Sequence, residues 1–265
     1  MFDQCHPSRM LASLDTKANH MTRRSAVLAV LMGSVLLSSI PTLAATTVAT
    51  GPLDFAPQHG VGRAHLAPAA SGADGGNWSG YVATGSGFTT VRTTSAVPTA
   101  TCNSTNDLYA MWVGIDGYGS QSVEQTGIVT DCSSGRPVYR GFHQMYPDPP
   151  VYYNDPISGG DSFRAWVVRT GTTYTLTLFN DTKGWKESVD KAYQGANASA
   201  EVILESPTQS YPNFGKATFV GTVFNDAGLA AYHPVALDAT GGGGAQDHTG
   251  AISDGDTFTV TYLRE

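Results

Sequence analysis

Charged side chains are scarce in this 265-residue sequence, where they make up 14% of the residues against roughly a quarter in ordinary globular domains. Lys and Arg together number only 15 while Asp and Glu number 22, which gives a formal net charge of -7. Nucleic-acid-binding surfaces need a basic stripe, so this composition argues against a nucleic-acid partner. Glycine is plentiful at 30 residues, and recurrent Thr, Ser and Tyr favour strands and turns over helices.

Long apolar runs are almost absent too. The exception, Ala26–Ile40, follows Arg23 and Arg24 and precedes small residues at 41–45. It is shorter than the roughly 20 apolar residues of a membrane span, and this order of segments is typical of a secretory signal peptide. We therefore interpret residues 1–44 as an N-terminal extension plus signal peptide, with an uncleaved anchor as the alternative. The expected product is secreted, with no stable membrane association after cleavage.

Cysteine is limited to three residues, an odd number for an exported protein. Cys5 precedes the signal peptide and would be removed with it, so Cys102 and Cys132 remain. An oxidising compartment favours a disulfide between these two, which would close a loop of about 30 residues and contribute roughly 3–4 kcal/mol in the chain-entropy model. Two free buried thiols are the alternative.

Periodic hydrophobic patterns are absent from residues 45–76, which are rich in Ala, Gly and Pro and are interpreted as a pro-segment or disordered linker. In the expected folded domain, 77–265, apolar residues recur at every second position, most clearly in Thr173–Asn180 and Thr257–Leu263. No long stretch follows the 3.6-residue helical period. Short strands separated by turn pairs predict an antiparallel β-sandwich or barrel. Further strands are predicted at Trp78–Ala83, Leu108–Ile115, Ser162–Arg169 and Ala217–Phe224.

Familiar catalytic signatures are missing as well. The sequence has no Gly-x-Ser-x-Gly nucleophile elbow, no Asp-Thr-Gly and no His-Glu-x-x-His. The three histidines of the expected folded domain, His143, His233 and His248, are scattered. Cysteines committed to a disulfide provide no thiol nucleophile. We therefore expect no metal site, no cofactor and no cysteine chemistry.

One predicted strand carries two carboxyl groups on the same face. In Ser199–Glu205, Glu201 and Glu205 point one way, while the intervening Val202 and Leu204 point to the other face and predict a core contact. An ordinary solvated outer face explains the two glutamates as well as a reactive site does, so the pattern alone leaves both interpretations open.

Seven short motifs, in order from Asn77 to Leu263, resemble those of the glutamic peptidases, also called eqolisins. The motifs are Asn77-Trp78-Ser79-Gly80-Tyr81, Trp112-Val113-Gly114-Ile115-Asp116-Gly117, Gln125-Thr126-Gly127, Tyr146-Pro147, Ile157-Ser158-Gly159-Gly160-Asp161, Ala200-Glu201-x-Ile203-x-Glu205 and Phe214-Gly215. Each is weak by itself, but their shared order across the domain is fairly specific. Two departures stand out: Val202 replaces the family's usual Trp, and Gly141–Met145 has fewer aromatics than is usual in the family and no acid.

The resemblance implies two packed antiparallel sheets in a concanavalin A- or lectin-like sandwich, with the active site on a concave sheet face. It implies Gln125 and Glu201 as the catalytic pair of an endopeptidase that acts on polypeptides. We expect the protein to be a monomer. Further residues are candidates to line the substrate cleft, with core packing or turn formation as the alternative for each. They are Trp78, Trp112, Asp116, Tyr146 and Glu205.

The two residues of such a pair have separate roles in amide hydrolysis. A glutamate takes a proton from water and passes it to the leaving amine, while a glutamine carboxamide holds the water and stabilises the oxyanion. A base with an ordinary pKa near 4.3 works best in acid, so an acidic optimum is expected.

Two other functions remain open on the same architecture. A carbohydrate-binding module would use aromatic residues such as Tyr152, Tyr153 and Trp185. A glycosidase would pair Glu201 with a second carboxylate, either Glu124 or Glu205. A family member that has lost its activity is the third alternative.

Overall fold

A computed structural model describes residues 72–265 of the chain. The segment interpreted as extension and signal peptide, and most of the expected pro-segment, lie outside the described residues. The described part contains eighteen strands and one short 3-10 helix, and none of its helices is long and apolar enough to cross a membrane. The elements are β1 (Ala73–Asp74), β2 (Trp78–Thr84), β3 (Thr90–Ala96), β4 (Leu108–Asp116), β5 (Val123–Asp131), β6 (Val138–Tyr146), β7 (Val151–Tyr152), β8 (Ser162–Thr170), β9 (Thr173–Asn180), β10 (Trp185–Ala192), β11 (Ser199–Glu205), β12 (Lys216–Phe224), β13 (Ala227–Gly228), the 3-10 helix (Leu229–Tyr232), β14 (Val235–Asp238), β15 (Thr240–Gly241), β16 (Gly244–Ala245), β17 (Asp247–Thr249) and β18 (Phe258–Tyr262).

Two large sheets pack face to face. The front sheet has the strand order β1-β14-β2-β11-β4-β5-β6-β7, and the back sheet has the order β10-β9-β8-β3-β12-β18-β17, with β13 beside β12. All of their strand pairs are antiparallel apart from the short parallel pair β1–β14. The predicted antiparallel β-sandwich is therefore confirmed, and strands form at each of the six segments where alternation predicted them.

The main core lies between the sheets. Tyr174, Leu176 and Leu178 alternate along β9 and are fully buried, as the two-residue period predicts. They share one apolar cluster with Val202 and Leu204 of the front strand β11. The predicted core face of β11 is therefore confirmed.

The opposite, outer face of the front sheet is buried as well. It carries a second apolar cluster that includes Trp78, Trp112 and Ile203. Every residue of β11 is buried, with Glu201 at 0% and Glu205 at 1% exposure. A solvated outer face is thus the wrong interpretation for these two glutamates, since a buried carboxyl group needs partners or a proton.

The Cys102–Cys132 disulfide is present, with the two Cα atoms 5.7 Å apart. Cys102 belongs to the segment that leads to β4, and Cys132 directly follows β5. The bond therefore ties together two neighbouring strands of the front sheet at one end, as the cysteine count predicts.

Candidate active site

A single cross-strand row brings the two expected catalytic residues together on the outer face of the front sheet. Glu201 of β11 stands opposite Gly114 of β4, Gly114 opposite Gln125 of β5, and Gln125 opposite Gln144 of β6. Residues at paired register positions project to the same face. With neighbouring strands about 4.8 Å apart, the Cα atoms of Glu201 and Gln125 are separated by about 10 Å.

Gly114 keeps the centre of this row without a side chain. A Cβ atom at this position would lie 2.9 Å from Cζ3 of the Trp112 indole and 3.1 Å from a methyl carbon of Val123. Both distances are shorter than ordinary van der Waals contact. Gly114 therefore contributes no side chain between Glu201 and Gln125, and the edge of the Trp112 indole and the Val123 methyl group lie beside the position that its Cβ would take.

The Glu201 carboxyl group is completely buried. Its Oε1 accepts a hydrogen bond of 3.2 Å from the backbone N–H of Tyr118, whereas Oε2 has no hydrogen-bond partner among residues 72–265. Burial raises the pKa of Glu201 well above its usual value, and this effect exceeds the opposing ones of the Ser199 hydroxyl and the Tyr118 N–H. Such a group holds a proton far more readily than a solvated glutamate does.

The backbone N–H of Tyr118 that binds Glu201 belongs to the turn after β4. Asp116 and Gly117 both adopt positive φ angles, of 62° and 115°, so Asp116 forms a turn, which is the alternative role given for it above. The Asp116 carboxylate accepts hydrogen bonds of 2.8 Å from the backbone N–H groups of Asn197 and Ala198, just before β11. Asp116 thus ties this turn to the segment that precedes the strand of the candidate base, and its own carboxylate is buried there.

Gln125 is connected to Gln144, which the sequence indicates only as part of the divergent stretch Gly141–Met145 and not as a site residue. The Gln125 Nε2 donates a 3.0 Å hydrogen bond to Oε1 of Gln144, and the Gln144 Nε2 donates a 2.9 Å bond to the backbone oxygen of Asp148. The turn at Ser134-Gly135 is the sequence signal that could have identified Gln144. If this turn is taken as the centre of the β5–β6 hairpin, position 144 lies opposite position 125, as the structure shows.

Three of the cleft candidates form one group beside the row. Trp78 and Trp112 are both buried and make an edge-to-face contact with ring centroids 4.9 Å apart. The indole N–H of Trp112 donates to Glu205 at 3.0 Å, and the Asn77 side chain donates to the other Glu205 oxygen at 3.2 Å. Tyr146, another of the five candidates, ends β6 on the same face as Gln144 and is half-buried.

Neither carboxyl group considered as a glycosidase partner stands in the row with Glu201, since Glu124 is paired with Ile115 and Glu205 with Ala110. Glu124 faces the interior side of the sheet, opposite to Glu201, and burial beside Asp116 raises its pKa to about 8. Glu205 is four residues from Glu201 along β11, which separates their Cα atoms by about 13 Å. Retaining and inverting glycosidases hold their two carboxyl groups about 5–9.5 Å apart.

The aromatic residues proposed for sugar stacking do not share one surface either. Tyr152 packs against Phe142 on the outer face of the front sheet, and Tyr153 contacts His143, whose ring nitrogen is 3.1 Å from the phenol oxygen. Trp185 belongs to the back sheet and packs against Phe163.

Among residues 72–265, no group of three or more His, Cys, Asp or Glu side chains is arranged to hold a metal ion. The polar groups that the row itself presents include the Glu201 carboxyl group and the Gln125 carboxamide. One carboxyl with a raised pKa and one oriented carboxamide can exchange a proton and bind an anionic oxygen.

Residues 76–262 match the Peptidase A4 family, and the chain belongs to that family. The predicted resemblance to glutamic peptidases is confirmed. Scytalidopepsin B of Scytalidium lignicola is 33% identical over 151 residues, and the chain spans about half the length of this curated relative, 56% of it. A solved scytalido-glutamic peptidase bound to a peptide-based transition state analog is 26% identical, with a TM-score of 0.63 over 71% of this chain and 99% of that one. An eqolisin solved with the tripeptide Ala-Ile-His shares the fold at 24% identity, with a TM-score of 0.58 over 71% of this chain and 99% of that one.

Proposed function

We propose that the protein is a secreted acid endopeptidase of the glutamic type, with Glu201 and Gln125 as its catalytic pair. The observation that carries this proposal is the row in which Glu201 and Gln125 face each other across Gly114.

Each residue has one task in the proposed reaction. The ionised Glu201 takes a proton from water as the water oxygen forms its bond to the substrate carbonyl carbon. Gln125 holds the water through its carbonyl oxygen and stabilises the oxyanion through an N–H. Glu201 then passes its proton to the nitrogen as the C–N bond breaks, so that the products are a carboxylic acid and an amine.

The raised pKa of Glu201 changes the pH dependence that an ordinary glutamate would give. The base must be ionised, so the acidic limb of kcat/KM is expected above the ordinary pKa of about 4.5. Glu124 and Asp247 have pKa values of about 8, and their ionisation removes stability as the pH rises. We therefore place the optimum in weak acid. A rate maximum above neutrality would contradict this placement.

Two further observations support the substrate class and the location. Relatives of the same fold have been solved with a peptide-based transition state analog and with a tripeptide. The disulfide Cys102–Cys132 is typical of an oxidising, extracytoplasmic compartment and agrees with the signal-peptide interpretation of residues 1–44.

The decisive experiment is digestion of casein across pH 3–6 with pepstatin present. Glu201→Gln and Gln125→Ala should each lower the rate by about 10²-fold or more, since each loses a proton carrier or an oxyanion donor. Glu187→Gln on the back strand β10 is the matched control and should keep full activity. A folded Glu201→Gln or Gln125→Ala variant with wild-type activity would remove that residue from the mechanism.

A further inference from the structure

We propose that Gln144 is the positioning residue that fixes which end of the Gln125 carboxamide faces the substrate. This inference rests on the proposed function, because it assigns Gln144 a role that is exerted through Gln125. A carboxamide has two nearly isosteric ends, an oxygen that accepts and a nitrogen that donates, so its orientation has to be imposed by its neighbours.

The orientation begins at a backbone atom. The carbonyl oxygen of Asp148 can only accept a hydrogen bond, and it lies 2.9 Å from Nε2 of Gln144. Asp148 itself is held by its N–H, which donates to the backbone oxygen of Met145 at 2.8 Å and closes the turn after β6. The nitrogen of Gln144 must therefore point to Asp148.

The second link follows from the first. With its nitrogen on Asp148, Gln144 presents Oε1 to Gln125 at 3.0 Å, and this oxygen can only accept. Gln125 must then present Nε2 to Gln144, which turns its own carbonyl oxygen away from β6. The reversed carboxamide would place two oxygens against each other.

Burial makes this relay effective. Gln125 is 0% exposed and Gln144 is 1% exposed, so bulk water does not compete for either link. Neither carboxamide titrates, so the relay keeps the same orientation at every pH at which the fold persists.

Two substitutions at position 144 separate a positioning role from a merely structural one. Gln144→Met keeps the length of the side chain and removes both links. It should lower kcat roughly 3- to 10-fold at every pH with little change in KM, which is the population effect expected from one hydrogen bond.

Gln144→Glu is the conservative counterpart. Its protonated carboxyl group donates to Asp148 and accepts from Gln125, so activity near the wild-type level is expected at the lowest pH. Once ionised, it can no longer donate to Asp148 and adds a negative charge beside the developing oxyanion. Its kcat should then fall by tenfold or more relative to wild type as the pH rises.

Gln246→Glu provides the matched control, because Gln246 is also buried and also donates its Nε2 to a backbone oxygen, that of Gln209, at 2.9 Å. It lies outside the row and should follow the wild-type pH profile after correction for the folded fraction, measured by near-UV circular dichroism. Wild-type kcat in Gln144→Met, or parallel profiles for Gln144→Glu and Gln246→Glu, would overturn the inference. Gln125→Ala is assayed alongside: if it stays active, Gln125 has no part in the proposed mechanism, whereas inactive Gln125→Ala with fully active Gln144→Met refutes only the role of Gln144.

Discussion

The outer faces of the two sheets differ in their exposure to solvent. Along β10 of the back sheet, half-buried and exposed residues alternate, whereas every residue of β11 in the front sheet is buried. The back sheet is the ordinary case of one face on the core and one face in water. The front sheet also buries polar groups, and their energetics are therefore set by specific partners instead of by solvent.

Carboxyl groups of the two sheets show the contrast most directly. On the back sheet, Arg164 lowers the pKa of exposed Asp181, with which it forms a two-point contact. On the front sheet, burial raises the pKa of Glu124 to about 8 and that of Glu201 well above its usual value. In the folded front sheet, Glu124 and Glu201 therefore stay protonated at pH values at which the same side chains are ionised in the unfolded chain.

The largest expected effect is on the pH dependence of stability. Folded Glu124 binds its proton more tightly than the unfolded chain does, so its stabilising effect is complete below about pH 4.5 and is lost as the pH rises toward about 8. The free energy of unfolding should fall by up to about 1.4 kcal/mol per pH unit for such a group. Chemical denaturation at several pH values measures this slope.

Glu124→Gln should flatten the slope by about one proton, because the variant cannot ionise. Asp181→Asn is the control at the exposed edge of the back sheet: the pKa of Asp181 is lowered by its hydrogen bond from Arg164, so this group is ionised in both the folded and the unfolded chain between about pH 5 and 8, and the variant should leave the slope there unchanged. Identical slopes for wild type and Glu124→Gln, or stability that rises toward pH 8, would show that the front sheet does not retain these protons.

The next effect concerns the disulfide at the end of β4 and β5. Replacing Cys102 and Cys132 together with Ala should cost roughly 3–4 kcal/mol of unfolding free energy in the chain-entropy model. Backbone amides of β4 and β5 should lose more protection in hydrogen exchange than those of β8 and β9. Uniform loss of protection in both sheets would mean that the bond stabilises the whole sandwich equally.

A smaller but more local effect is expected at Gly114. In Gly114→Ala the new methyl group collides with Trp112 and Val123 and shifts the row, so kcat/KM should fall about 100-fold, since displacements near 1 Å cost about that much. Gly242→Ala is the control, because a Cβ atom there meets no atom within 4 Å. Full activity in Gly114→Ala would show that the centre of the row tolerates a side chain.

The smallest effect is expected on the back sheet. Arg164→Ala removes the ion pair with Asp181, whose nitrogen and oxygen atoms are 2.7 Å apart and whose side chains are both exposed. Such pairs contribute less than about 1 kcal/mol, and the remaining effect should shrink further in salt. If thermal or chemical denaturation showed a loss of 2 kcal/mol or more in the free energy of unfolding, this exposed ion pair would contribute as much to stability as the buried groups of the front sheet.

Much of the back sheet could be predicted from sequence, because a face in water and a face on the core produce the alternation seen in Thr173–Asn180. The front sheet could be predicted only in part. Glu201 and Glu205 alternate with apolar residues as a solvated strand would, so alternation alone could not reveal that both are buried. The family motifs supplied Gln125 and Glu201, whereas Gln144 and the Tyr118 N–H depend on hairpin register and turn geometry.

Because β4 lies between β11 and β5, the candidate site is complete only after strands distant in the sequence have paired. The hairpin β4–β5 brings Gln125 to Gly114 through local pairing, but Glu201 joins the row only when β11, encoded far later in the chain, inserts between β2 and β4. Non-local strand pairing of this kind is slow compared with hairpin formation. Under the proposed function, a chain that is unfolded, or that has formed only its first hairpins, lacks the catalytic base Glu201 and cannot cleave other chains. Peptidase activity would therefore indicate that the front sheet has been completely assembled.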